Sequence, residues 1–245
     1  MTILAIETST KVCSAALIKD GGAIISRIDK EGGNHAKQLP LFIEELLQYA
    51  RQAGLKTDAV ALSEGPGSYT GLRIGTSTAK GLCYGLDIPL IGIPTPEVLC
   101  ASFAAEKQLS GECYLLPMID ARRMEVYTGL YTYSNGYAEK ASNITACVVE
   151  SAKSVDFGQS PSESKPLYFF GDGAGKCEGQ IASEHAHYIA GIVPNAAYMG
   201  GIAERMFQEG KACMKVTELA YYEPFYLKEF VAAKSHVKGL IDNSN

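Results

Sequence analysis

The sequence predicts a duplicated α/β fold, with two similar lobes of mixed sheet and helices that divide near Ser110-Gly111 into residues 1–109 and 110–245. Three observations predict it. The first is the stretch 63–75, SEGPGSYTGLRIG, in which four glycines and a proline follow the apolar run Ala59, Val60, Ala61, Leu62. A short apolar run bounded by turn formers suits a buried parallel strand, and the residues beyond it have room for a helix. The second is a repeated pattern: Ile119-Asp120 mirrors Ile6-Glu7, the β-rich residues 125–133 mirror 13–18, and Asn135-Gly136 mirrors Gly21-Gly22. The third is a second glycine loop, where residues 167–170 run into Gly171-Asp172-Gly173-Ala174-Gly175 as 60–63 run into Gly65-Pro66-Gly67. The offsets are similar, at 106 for Gly65 and Gly171 and 113 for Glu7 and Asp120.

Taken in order, residues 3–6, 13–18 and 23–28 are apolar strands separated by Thr8-Ser9-Thr10-Lys11 and Asp20-Gly21-Gly22, an antiparallel meander. After Gly32-Gly33-Asn34 the spacing predicts a helix over 36–53, with Pro40 near its first turn. Its apolar residues, among them Leu39, Phe42, Ile43, Leu46 and Tyr49, cover roughly 160°, wider than the ~100° stripe one core needs. This helix is expected to touch two surfaces. Residues 59–62 form the next strand, and a helix follows to Leu86 with Ser68 or Thr70 as its cap. Residues 90–93 form another strand, and Thr95-Pro96-Glu97 starts a helix that ends near Lys107. The second copy begins with a strand over 114–120. Residues 160–165, SPSESK, are expected to form a mobile surface loop, 194–208 a helix stopped by Gly210, and the tail from Lys234 a loose end.

Composition narrows the classes. No apolar run reaches the ~18 residues of a membrane span, and MTILAIETST lacks a basic leader region, so a soluble, cytoplasmic protein is expected. Seven cysteines never fall in a CxxC pair and read as reduced, buried apolar residues. A net charge of −5 argues against this chain alone gripping nucleic acid, because phosphate contacts need a basic face.

The motifs GPGSYTGLRIG, ILAIETST, IDARRMEVY and EPFYLK resemble those of the TsaB (YeaZ) family, partner subunits in threonylcarbamoyl-adenosine modification of tRNA. The resemblance covers most of the chain and is thin between residues 132 and 166. It implies a duplicated actin-like (ribonuclease-H-like) fold, of the superfamily that includes Hsp70 and sugar kinases. It also implies a chain without catalysis of its own that binds the paralogue TsaD, an ATPase subunit, and tRNA through the complex, and that forms a homodimer when alone. No cofactor is implied for the isolated chain, while ATP with Mg²⁺ belongs to the complex. An ATP-dependent small-molecule kinase and a peptidase-like hydrolase are the alternatives.

Several residues bear on those alternatives. In the superfamily an acidic residue and the first hairpin turn meet nucleotide phosphates; here that place is Glu7-Thr8-Ser9-Thr10, a turn without glycine. The second glycine loop fails the P-loop pattern, since Phe170 and Cys177 stand where Gly and Ser or Thr are required. TsaD carries a metal-binding HxxxH at its first helix, whereas His35 is followed four residues later by Leu39, so no metal pair forms there. His185 and His187 have only Glu184 beside them as a further ligand. Ser9, Ser63 and Ser68 are not in a GxSxG elbow, and Ser68 suits a helix cap better than a nucleophile. Asp120, Arg122, Arg123 and Glu125 form a polar cluster that reads as a salt-bridged turn, with acid–base work as the competing use.

No catalytic residue is therefore assigned. For the partner interface, Gly71, Gly75, Ala79 and Cys83 recur every fourth residue as a stripe that lets another helix approach closely. Together with Leu39, Phe42 and Leu46 of the preceding helix they are assigned to a four-helix contact. The competing use of the stripe is packing against this chain's own sheet.

Overall fold

The computed structural model describes residues 1–148, 165–179, 181, 185–210 and 213–228. Strands β1 (Thr2–Glu7), β2 (Cys13–Lys19) and β3 (Gly22–Asp29) form the expected antiparallel meander, because each apolar run ends at residues that favour a turn. Helix α1 (His35–Gln52) leads to β4 (Ala59–Gly65), which lies parallel to β1. Pro40 sits inside α1 rather than in its first turn, and the helix continues through it. Helix α2 (Tyr69–Leu86) starts at Ser68, whose Oγ accepts the Gly71 amide at 3.3 Å, and ends at Asp87 in the left-handed conformation. Strand β5 (Leu90–Pro94) and helix α3 (Thr95–Lys107, with Pro96 in its first turn) complete the first copy.

The second copy repeats the order with broken strands. Opposite β6 (Cys113–Asp120) stand two short strands, β7 (Glu125–Thr128) and β8 (Tyr131–Ser134), where the sequence predicts one. The break falls at Gly129-Leu130, where Leu130 turns its amide to the Ser142 hydroxyl at 2.8 Å. The outer strand divides in the same way into β9 (Tyr137–Lys140) and β10 (Thr145–Val148). β11 (Leu167–Phe170) then runs parallel to β6, and β12 (Ala186–Ile189) parallel to β11, as β4 and β5 do in the first copy. The helix expected over 194–208 becomes a 3₁₀ turn, Ala196–Tyr198, followed by α4 (Gly200–Glu209), which Gly210 stops at φ +64°. The loop expected at 160–165, apart from Lys165, and the tail from Lys234 lie outside the described residues.

The layers explain the burial. Alternate residues of the first sheet, Leu4, Ile6, Cys13, Ala15 and Leu17, face α1 and α2. The intervening residues, Ile3, Ala5, Ala16 and Ile18, face Met199 and Ala203 at α4. Leu99, Cys100 and Phe103 of α3 pack on the second sheet against Leu115, Ile119 and Phe170. The last helix of each copy thus covers the sheet of the other, and α3 and α4 form a shared middle layer. The chain also returns to the first lobe through β13 (Cys213–Met214), which pairs with β5, and the 3₁₀ turn Val216–Tyr221. A cut at residue 109 therefore follows neither the sheets, since β13 belongs to the first, nor the packed units. Among the described residues no helix is long and apolar enough to cross a membrane.

Candidate functional site

Two hairpin turns, one from each lobe, face the same cleft of about 1050 Å³, which is also lined by the start of α1, residues 66–72 and residues 225–228. The first turn joins β1 to β2. Glu7 at its base is fully buried, and its Oε1 accepts the Ser9 amide at 2.5 Å and the Ser9 hydroxyl at 2.6 Å. Burial raises its pKa, against the opposing hydrogen bonds of Ser63 and Ser9. His35 Nε2 reaches the carbonyls of Thr10 at 2.9 Å and Val12 at 3.2 Å. Both partners are acceptors, so Nε2 donates, and the histidine braces the hairpin.

The glycines of the central loop serve this same turn. A Cβ at Gly67 would overlap the Ser9 carbonyl oxygen, and one at Gly71 the Thr8 carbonyl oxygen. The Ser68 amide donates to the Ser9 carbonyl at 2.6 Å, and Thr8 Oγ1 donates to the Gly71 carbonyl at 2.8 Å. Thus the loop brings the backbone close to its own hairpin and not to an open cradle. The Thr8 and Ser9 carbonyls are therefore turned to the loop, and the Glu7 carboxyl is buried at the base of the turn. No sequence signal pairs two turns so far apart in the chain.

The second lobe repeats the arrangement. The Gly173 amide donates to the Met118 carbonyl at 3.0 Å, and a Cβ at Gly171 would overlap that same oxygen. Asp172 Oδ1 accepts the Asp120 amide at 2.9 Å, and burial, with the nearby Asp120 charge, raises the Asp172 pKa. Asp120 Oδ1 accepts the Arg122 amide at 3.0 Å and pairs with Lys176, whose Nζ also meets the Arg123 carbonyl at 2.9 Å. Glu125 pairs with Lys228. The expected salt-bridged turn is therefore corrected in detail: its acids pair with distant lysines, and Arg122 and Arg123 have no acidic partner among the described residues.

The remaining candidates find structural uses. Ser63 Oγ bonds Thr95 Oγ1 at 2.9 Å, Ser68 caps α2, and Ser9 holds Glu7, so none of the three meets an imidazole. The His187 ring lies 5.5 Å from that of Tyr168, and Glu184 lies outside the described residues. The six cysteines with described side chains are buried, and burial pushes the Cys13 thiol up to about 12.

The interface assignment changes most. Leu39, Leu46, Ala79 and Cys83 are buried in the core between α1, α2 and the first sheet, and Phe42 packs against it. Gly71 meets Thr8, and a Cβ at Gly75 would reach Leu62 Cδ1 at 3.2 Å and overlap the Thr8 hydroxyl. The stripe faces this chain's own sheet. The apolar arc of α1 is also narrower than its sequence predicts, since Tyr49 and Ala53 are exposed.

A family model described as TsaD, tRNA N6-adenosine threonylcarbamoyltransferase, matches residues 29–234. The Escherichia coli tRNA threonylcarbamoyladenosine biosynthesis protein TsaB is 30% identical over 96% of this chain and 97% of its own length. The chain belongs to the TsaB (YeaZ) family. The Bacillus subtilis TsaB protein is 38% identical over 57% of this chain, although the match spans only 59% of that relative. A Pseudomonas aeruginosa structure, titled as an uncharacterized protein with similarity to peptidase YeaZ, superposes with a TM-score of 0.78 at 27% identity, covering 93% of this chain and 99% of that one. This TsaB-family chain therefore shares its two-lobed α/β fold with that structure, and its glycine loops close over its own hairpins.

Proposed function

We propose that this chain takes part in tRNA threonylcarbamoyladenosine biosynthesis as a non-catalytic subunit, binding TsaD and supporting its transfer of the threonylcarbamoyl group to adenosine in tRNA. The observation that carries this reading is the end-to-end likeness to the E. coli TsaB protein. The site supports it: the first hairpin turn has no glycine and its Thr8 and Ser9 carbonyls face the chain's own loop, and the serines a peptidase would use are bonded to Thr95, Gly71 and Glu7. ATP with Mg²⁺ and an ATPase subunit belong to the assembled complex in this reading.

The surface offered to TsaD is the outward face of α1 and α2. Tyr84 is 79% exposed and Leu86 43% on α2, beside Leu41 at 53% on α1. Ser77, Gly81 and Gly85 form a second small-residue stripe on that exposed face, and a Cβ at Gly81 or Gly85 would meet nothing within 4 Å. A mid-helix glycine such as Gly81 costs about 1 kcal/mol relative to alanine, and no contact among the described residues explains that cost. Close approach by a partner helix does, and a second copy would use the same face when TsaD is absent.

Co-purification with tagged TsaD tests the reading. The wild-type chain is expected to elute with TsaD and to restore tRNA modification by it, and Tyr84→Glu to abolish pairing without lowering the melting temperature of the isolated chain. A wild-type chain that neither pairs with TsaD nor supports modification would refute it.

A further inference from the structure

The turn that joins β6 to β7 has an unusual composition for its shape. Arg122 and Arg123 stand at φ +69° and +47°, in the left-handed region that favours glycine and asparagine. Where this chain builds adjacent left-handed residues at other hairpins it uses Asp20-Gly21, at +50° and +78°, and Asn135-Gly136, at +52° and +87°. Only at the cleft does it place two arginines. The backbone there is pinned, since Asp120 accepts the Arg122 amide and Lys176 meets the Arg123 carbonyl. Strain that persists inside a pinned frame points to a use for the side chains that carry it.

Both guanidinium groups are exposed and, among the described residues, lack a carboxylate partner, because Asp120 and Glu125 are engaged by Lys176 and Lys228. Lys11 and Lys37 line the same cleft from the first lobe, also without an acidic partner among the described residues. We propose that Arg122 and Arg123, with Lys11 and Lys37 across the cleft, contact the phosphodiester backbone of the tRNA held by the complex. This rests on the reading given under Proposed function. Cations spread over both lobes suit a chain of phosphates better than a single one. The contact carries no base recognition, and in a chain of net charge −5 it adds to a partner's grip rather than replacing it.

The test is binding of fluorescently labelled tRNA to the assembled complex of this chain with TsaD, followed by anisotropy across a series of salt concentrations. The variant is Arg122→Gly with Arg123→Gly, which removes both charges and suits the left-handed backbone. Two lost phosphate contacts are expected to weaken binding roughly ten- to thirty-fold at physiological salt, and to flatten the slope of log affinity against log salt by about 1.5. The melting temperature should hold or rise, and the complex should still assemble. Unchanged affinity and slope would overturn the inference alone, as would a variant that melts lower, which marks a structural role, or one that no longer pairs with TsaD, which marks a protein contact. A wild-type pair that does not assemble would overturn the partner reading and the inference with it.

Discussion

Replacing Gly71 by alanine sets two known effects against each other on one helix. Alanine is the better helix former by about 1 kcal/mol, so propensity alone predicts a gain. The added Cβ, however, would overlap the Thr8 carbonyl oxygen, a backbone atom that cannot rotate away, and would lie 3.3 Å from the Thr8 carbonyl carbon. Helix and hairpin must then separate, which strains packing by about 1–3 kcal/mol and weakens the 2.8 Å bond from Thr8 Oγ1 to the Gly71 carbonyl, worth about 1 kcal/mol. The net expectation is a loss of about 2 kcal/mol, or a melting temperature lower by about 4–8 °C for a chain of this length. Gly81→Ala on the same helix is the control, because its Cβ meets nothing within 4 Å and only propensity acts. It should raise the melting temperature by a few degrees. Differential scanning calorimetry of the isolated chain decides: a Gly71→Ala protein that melts at or above wild type, or a Gly81→Ala protein that falls as far, would refute the placement of the two faces of α2.

Other outcomes follow from the buried carboxyls and the charge. Burial raises the Glu7 pKa above its ordinary 4.5, so the folded state binds more protons than the unfolded one just above pH 4.5, and stability falls as pH rises through that window. Glu7→Gln should flatten this slope in melting curves from pH 5 to 8, and an unchanged slope would count against it. Tyr222→Phe removes the donor that holds Glu64 Oε2 at 2.9 Å, at a cost of about 1–3 kcal/mol in urea unfolding, greater at pH 8 than at pH 5, because the raised Glu64 pKa favours the neutral acid. The isolated chain, at net charge −5, should not retain tRNA at physiological salt, and a gel shift showing salt-sensitive, submicromolar binding without TsaD would contradict this.

The first lobe was legible nearly residue by residue, because its central strands are mainly apolar and end at Thr8–Lys11, Asp20-Gly21 and Gly65-Pro66. Ser68 as cap, Pro96 as the helix start and Gly210 as the stop were equally readable, since capping chemistry is local. The split of the predicted strand over 125–133 was less so: Gly129 marks the break, but an isolated glycine in a β-rich run does not say whether the strand bends or stops. The partner of each glycine loop could not be read at all, because the contact joins backbone to backbone and leaves no side-chain pattern. The exchange of α3 and α4 between sheets was hidden for a related reason. Apolar residues such as Leu99 and Phe103 state that a helix is buried, not which sheet buries it.

The stripe on α2 shows how such ambiguity resolves. Small residues four apart permit close approach by any neighbour, and the helix carries two such rows, 71, 75, 79, 83 and 77, 81, 85. The first row faces Thr8 and Leu62, where three strands of the chain's own sheet already crowd the helix. The second faces outward beside Tyr84 and Leu86. What separates them in sequence is the neighbours: Leu72 beside the first row continues an apolar face into the core, while Arg73 and Lys80 beside the second break it up into a mixed surface with aromatic and aliphatic side chains among polar ones. That composition is typical of an interface a soluble protein can expose before its partner arrives. The row that meets nothing among the described residues is the one with room for a second helix.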